Sequence, residues 1–170
     1  DILTNRNVAE VASPIHSANI VQFESDEQGS SFALTDDGRV RLAQYLAEHD
    51  VVVNCVLQDP NAPLVFLHEP DLEAFRSGSL FIDVSCDAGM GFSWALPTSF
   101  DDPTFVVGNN MTYYAVDHSP SYLWNAATWE ISEALIPYLS TILAGPTEWD
   151  DDETVRRAIE IRDGNIVNPD

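Results

Sequence analysis

Three short clusters hold the side chains whose types and spacing could do chemistry. Asp83, Ser85 and Asp87 stand in the run FIDVSCDAGMGF, residues 81–92. Asn54, Cys55 and Gln58 close a valine-rich run, and Asp117-His118-Ser119-Pro120 follows TYYAV. A histidine beside a carboxylate is a candidate acid–base pair that titrates near neutrality. A carboxylate among glycines can position or polarise a bound group, because glycine lets the backbone come close to it. Each cluster also has a plainer reading. Asp87, Gly89 and Gly91 are common turn residues. Asp117 or Ser119 could cap a helix while His118 merely packs. Spacing leaves both readings open. His16, His49 and His68 have no partner pattern and read as surface or structural residues. Met90, Trp94, Trp124 and Trp129 read as packing residues.

The elements that must position these clusters follow from periodicity. VVVNCVL, residues 51–57, is a nearly continuous β-branched run, the mark of a strand buried on both faces of a parallel sheet. LFIDV, residues 80–84, is a second apolar strand, and TFVV and MTYYAV supply two more. Residues 1–4 read as a strand end and residues 19–23 as another strand, leading into an acidic cluster. Helices are expected over 8–12, stopped by Pro14, and over 40–47, after the turn Asp36-Asp37-Gly38. Gly29-Ser30-Ser31 reads as a loop. A short helix over 70–75 is capped by Gly78. A long helix over 123–143 carries Pro137 at a middle or a break. A last helix spans 154–162 behind the acidic stretch 150–153, which suits its dipole. The alternation of strands and helices is an α/β pattern, and ligands of such sheets bind outside the carboxyl ends of the strands. The three polar clusters fall at those ends and could line one crevice. Arg6, just past the first strand, is the candidate contact for an anion such as a dinucleotide's 2′-phosphate. Its alternative is a solvated turn arginine.

Composition narrows the partners. The 170 residues carry a net charge of −21, and every one of the seven basic side chains is arginine. Such a chain repels nucleic acid and anionic membranes. The absence of lysine removes Schiff-base chemistry from these residues. The acidity fits either solubility or a salty cytoplasm. Cys55 and Cys86 read as buried free thiols of a reducing, cytoplasmic compartment, and no metal cluster is spelled out. There is no GxGxxG. In a doubly wound sheet that motif follows the central first strand. If residues 1–4 form the second strand, the first is missing, and two strand edges are left unpaired.

The runs EHDVVVNCVLQDPNAP, FRSGSLFIDVSCDAGMGF and TYYAVDHSPSYLWNAATWEISEALIPYL resemble the cofactor-binding region of the alanine dehydrogenase and transhydrogenase family. Within it they look most like the N5-(carboxyethyl)ornithine synthase type, and DHSPS is similar to saccharopine dehydrogenases. The resemblance implies a Rossmann-like parallel sheet with flanking helices, here lacking the first strand and its glycine-rich loop. Residues 1–145 would be a partial NAD(P)-binding domain and 146–170 a helix and tail. It implies reduction of an imine of an amino acid and a 2-oxo acid, or the reverse. The family's catalytic Asp falls on Asp87, with His118 assisting. The nicotinamide-lining positions fall on Val56 and Leu57. The family's Asn-Met-Pro loop is replaced by His118-Ser119-Pro120, and Asp83 and Ser85 flank the same edge. Its acidic ribose ligand falls near Thr4 or Asn5. A neutral residue beside Arg6 suits NADP better than NAD. The family's catalytic Lys and His come from an amino-terminal substrate domain that these residues do not include. The expected chain is therefore inactive alone, completed by that domain, a partner chain or a second copy. The alternatives are a catalytically dead interaction domain and an NAD-dependent alanine dehydrogenase.

Overall fold

The computed structural model describes residues 1–7, 17–59 and 61–167. The helix expected over 8–12, together with Pro14, His16 and Pro60, lies outside the described residues. The chain forms two compact units, Asp1–His118 and Ser119–Asp170.

The first unit holds two four-stranded sheets. β1 (Ile2–Thr4), β2 (Ile20–Ser25), β3 (Ser31–Thr35) and β4 (Gly38–Arg41) lie side by side in that order. β1 and β2 are parallel, while β2–β3 and β3–β4 are antiparallel. Helix α1 (Leu42–Leu46) follows at once, with Leu42, Ala43 and Leu46 inward. The second sheet pairs β5 (Val51–Asn54) and β7 (Leu80–Asp83) in parallel, then β10 (Met111–Tyr114) parallel to β7. β9 (Thr104–Val107) runs antiparallel on the outside. A small parallel pair, β6 (Val65–Leu67) with β8 (Gly91–Phe92), stands between them in sequence. A 3₁₀ helix over Glu69–Ala74 occupies the stretch expected as a short helix.

Aromatic packing links these layers. Phe92 stacks on Trp94 at 5.1 Å and meets Phe66 edge-on at 5.3 Å and Phe81 at 5.7 Å. Phe23 of β2 touches Phe66 at 5.6 Å, so one cluster reaches from the first sheet to the second. Phe81, Phe92 and Tyr113 are fully buried. Rings offset or edge-on at these separations add to the stabilisation from area burial alone.

The second unit opens with a 3₁₀ turn over Ser119–Leu123 and the long helix α2 (Trp124–Ala144). Pro137 lies inside α2 without ending it, and no α2 side chain is buried. Trp124 and Trp129 are exposed, against the expectation that they pack, whereas Met90 and Trp94 are buried. The short helices α3 (Pro146–Trp149) and α4 (Glu153–Arg157) follow. Asp152 caps α4 by accepting from the Thr154 and Val155 amides at 2.9 and 3.0 Å.

Three local readings are corrected. Gly29 and Ser30 lie in a loop as expected, but Ser31 opens β3, and residues 31–41 form a hairpin where residues 36–41 were expected to lead into a helix. The Thr35 hydroxyl donates to the Gly38 carbonyl at 2.8 Å, and the strands alternate side chains on either side of that turn. The helix expected through residue 162 stops at Arg157, and β11 (Ile161–Arg162) pairs with β12 (Asn165–Ile166) around the left-handed residues Asp163 and Gly164. Finally, β5 is not buried on both faces. Val52 and Asn54 are buried but Val51 and Val53 are about half exposed, because no described element covers their face.

Candidate functional site

The carboxyl ends of β5, β7 and β10 are tied into one edge by a buried polar network. Asp83, the last residue of β7, is 1% exposed. Its Oδ1 accepts from Asn54 Nδ2 at 2.9 Å and from the Cys86 amide at 3.1 Å. Its Oδ2 accepts from the Tyr113 hydroxyl at 2.7 Å. A buried carboxylate demands such donors. Burial pushes the Asp83 carboxyl above the usual carboxylate range, and the hydrogen bonds from Tyr113, Cys86 and Asn54 oppose that rise. Burial, together with the neighbouring Asp83, raises the Tyr113 phenol, which stays protonated and a donor.

The loops beyond this network are fastened to it and to each other. Asn54 Oδ1 accepts from the Val56 amide at 3.1 Å, and the Ser85 hydroxyl donates to the Val56 carbonyl at 2.8 Å. The loop after β5 is therefore held by the loop after β7. Gly91 makes this possible. Its φ is +77°, and a Cβ there would stand 2.6 Å from Asn54 Nδ2. Cys86 sits in a left-handed conformation with φ 44°. Its thiol hydrogen-bonds the Asp117 carboxylate, which brings the loop after β10 alongside. Burial first, and then Asp117, Asp87 and Asp83, push that thiol up. Cys55 is pushed up by burial and by Asp83. Neither thiol is a ready nucleophile at neutral pH. Both are free, but Cys55 is exposed rather than buried as expected, because it falls just past the end of β5.

The proposed acid–base residues stand at this edge. Asp87 is exposed in the turn that its carbonyl closes with the Met90 amide at 3.2 Å. His118 Nδ1 lies 3.2 Å from Asp117 Oδ1, so the adjacent side chains do face each other. The same oxygen accepts the His118 amide at 2.8 Å, and His118 takes φ 60° to allow it. Both side chains are largely exposed. Ser119 and Pro120 belong to the second unit and begin its 3₁₀ turn. Asp83, expected as a cofactor contact, has both oxygens engaged inside the fold, whereas Ser85 holds Val56 in place.

Asn5, Arg6, Val56 and Leu57 line one cavity of about 660 Å³. It is bounded by residues 1–6 on one side and 51–57 on the other, with Phe23, Leu42, Leu46, Phe66 and Phe92 also lining it. Asn5 and Arg6 are exposed just past β1, where the Thr4 hydroxyl accepts the Arg6 amide at 3.0 Å. Among the described residues no three His, Cys, Asp or Glu side chains gather as metal ligands, and no helix is long and apolar enough to cross a membrane. The part of Tyr113 is one that sequence reading did not reach. Its only signal is a tyrosine placed one strand away from a carboxylate on an otherwise apolar strand.

A parallel sheet with its polar loops gathered at one edge, and a cleft running up to that edge, defines a Rossmann-like α/β domain. The chain belongs to the alanine dehydrogenase/PNT family: the model for that family's C-terminal domain matches residues 7–169. Alanine dehydrogenase of Geobacillus stearothermophilus is 30% identical over 132 residues, 74% of this chain and 34% of that protein. Alanine dehydrogenase of Halomonas elongata is 24% identical over 130 residues, with the same 74% and 34% covered. An NAD(+)-dependent, L-lysine-forming saccharopine dehydrogenase of Yarrowia lipolytica is 32% identical over 105 residues, 56% of this chain and 28% of that protein. A solved L-alanine dehydrogenase structure superposes with a TM-score of 0.62 at 22% identity, covering 75% of this chain and 35% of the other. The chain thus spans about a third of the length of the alanine dehydrogenases it matches. Family membership implies nicotinamide nucleotide binding.

Proposed function

We propose that these residues form the cofactor-binding part of an NADP-dependent oxidoreductase that reduces the imine of an amino acid and a 2-oxo acid, in the manner of an opine-forming carboxyethylornithine synthase. The observation that carries this reading is the single cleft that brings Asn5 and Arg6 opposite Val56 and Leu57. Arg6 offers a guanidinium where a 2′-phosphate needs a fork of donors, and the neutral Asn5 beside it adds no repulsion. Val56 and Leu57 offer an apolar wall for a nicotinamide face. Ser85, through the Val56 carbonyl, fixes that wall. The bound cofactor supplies the hydride. Asp87 orients and polarises the substrate amine, and His118, held by Asp117, gives or takes the proton. Ser119 and Pro120, next after His118 in the chain, complete the set of proposed cofactor contacts. Among the described residues no glycine-rich turn cradles a pyrophosphate, so turnover requires further polypeptide carrying that loop and a substrate domain.

The test is an NADPH-oxidation assay with an amino acid and a 2-oxo acid, run on this chain joined to an amino-terminal region of a family member. The joined protein turns over and these 170 residues alone do not. Asp87→Ala lowers kcat by about 10²-fold or more, the usual scale for a positioned acid–base group. Arg6→Ala raises KM for NADPH without changing KM for NADH. Normal turnover of Asp87→Ala would remove the assignment. A preference for NADH over NADPH would favour a second reading, an NAD-dependent alanine dehydrogenase; the relatives named alanine dehydrogenase support its substrate but not its cofactor.

A further inference from the structure

The Val56 wall is fastened from further off than its own loop. Asp83 accepts at both oxygens: Oδ1 takes Asn54 Nδ2 at 2.9 Å and the Cys86 amide at 3.1 Å, and Oδ2 takes the Tyr113 hydroxyl at 2.7 Å. An ionised carboxylate offers acceptors only, so it decides which end of the Asn54 carboxamide faces it. Nδ2 turns to Asp83, and Oδ1 is left to take the Val56 amide at 3.1 Å. The far side has a set direction too. The Leu96 amide donates to the Tyr113 oxygen, which leaves the phenol hydrogen for Asp83. Two runs of hydrogen bonds therefore end on one negative charge, Leu96 through Tyr113 from β10 and Val56 through Asn54 from β5. Asn54 is 3% exposed, Asp83 1% and Tyr113 fully buried, so water does not compete for the bonds between them.

We propose that Tyr113 and Asp83 are positioning residues for the cleft wall: acting through the Asn54 carboxamide they hold the Val56 peptide, and the hold depends on the negative charge of Asp83. Asn54 lines the cleft, whereas Asp83 and Tyr113 do not. The proposal rests on the oxidoreductase reading only for what the wall faces. A proton on Asp83 has no good place to go. Both neighbours of Oδ1 are donors and cannot accept it. At Oδ2 the Tyr113 oxygen can accept it, but the phenol's own hydrogen then loses its acceptor. Asn54 Nδ2 keeps only a neutral partner, without charge assistance, and its carboxamide is freed to turn away from Val56. The other titratable groups at this place are Tyr113 from β10, Cys55 just past β5 and Cys86 in the loop after β7, with Asp87 and Asp117 acting on the Cys86 thiol. Burial pushes the phenol and both thiols up, so none of these three changes charge as pH falls from neutral. Burial also lifts Asp83 above the usual carboxylate range, so the hold loosens at a higher pH than an exposed carboxylate would require.

An NMR titration of the isotope-labelled 170-residue chain, without cofactor, reads the hold directly. In the wild type the Val56 amide shift follows the Asp83 carboxyl carbon, and the two share one midpoint. Tyr113→Phe moves both midpoints upward together by about one pH unit or more, the equivalent of one lost hydrogen bond to a charge, and leaves the midpoints of Asp87 and Asp117 where they were. In Asn54→Ala the Asp83 carbon still titrates, but the Val56 amide no longer follows it. In Ser85→Ala, which frees the Val56 carbonyl and not its amide, the Val56 amide still follows. A tie that merely stabilised the sheet would lower stability in these variants without uncoupling Val56 from Asp83 in one and sparing it in the other. The proposal is overturned by a wild-type Val56 amide that ignores the Asp83 midpoint, a result that needs no variant to fold. It is overturned equally by a Val56 amide that goes on following Asp83 in Asn54→Ala, or by a midpoint that Tyr113→Phe does not move. No cofactor enters the experiment, so its failure leaves the proposed oxidoreductase reading standing. Conversely, a joined protein without turnover removes that reading and leaves the hold on Val56 intact.

Discussion

Replacing Tyr113 with phenylalanine isolates the most consequential hydrogen bond at the carboxyl edge. The ring stays, with its contacts to Phe105 at 4.8 Å and Phe92 at 6.2 Å, and only the hydroxyl that donates to Asp83 Oδ2 at 2.7 Å is lost. A hydrogen bond to a charged, buried group contributes about 1.5–3 kcal/mol. Asp83 keeps its donors Asn54 and Cys86, both on the other oxygen, so Oδ2 is left bare in a site that is 1% exposed. The expected loss at neutral pH is therefore about 2–3 kcal/mol. The loss depends on pH with a definite sign. Asp83 already titrates above its unfolded value, so its protonated form favours folding at low pH, and that contribution fades as pH rises through the folded pKa. Removing a donor raises the folded pKa further. The unfolded state is the same in both proteins, so the difference between wild type and variant grows as pH rises through the raised folded pKa of Asp83 in the wild type, and levels off once Asp83 is ionised in both. Urea unfolding of both proteins across that window, with the m-value checked for constancy, measures it. A loss below about 0.5 kcal/mol at neutral pH, or one that does not vary with pH, would refute the account of a buried, ionised Asp83.

Other outcomes follow from the same geometry. Gly91→Ala forces a left-handed backbone on a residue with a Cβ and drives that Cβ against Asn54. The expected cost is about 2–4 kcal/mol, from roughly 1–2 of backbone strain plus the broken Asn54–Asp83 bond, read by chemical denaturation. Phe92→Ala empties the centre of the aromatic cluster that touches Phe66, Phe81, Trp94 and Tyr113. It should cost about 3–5 kcal/mol and lower the thermal midpoint by calorimetry.

Much of the first unit is written in the sequence. The β-branched run of β5 and the apolar runs of β7, β9 and β10 have the length and composition of strands, and each forms one. Residues 1–6 and 51–57, read as two strands with polar ends, line one cleft. The 31–41 hairpin escaped because Asp36-Asp37-Gly38 serves a helix start as readily as a two-strand turn, and only the pairing of Phe32 with Arg41 decides between them. The 161–166 hairpin escaped for a related reason. Its strands are two residues long, too short to show a period. At the carboxyl edge, Asp87 and His118 are candidates by chemical type alone. The Asn54–Asp83–Tyr113 network was not legible, because it depends on register between three strands that are distant in sequence.

The bareness of α2 bears on how the chain comes apart on heating. A helix of 21 residues with no buried side chain draws little on tertiary packing, and Pro137 deletes one of its internal backbone bonds. The sheet of β5, β7 and β10 is instead held by a dense aromatic core. The melt should therefore not be all-or-none. Helical ellipticity should fade first, over a broad range, while the near-ultraviolet signal of the packed rings persists to a sharper, later transition.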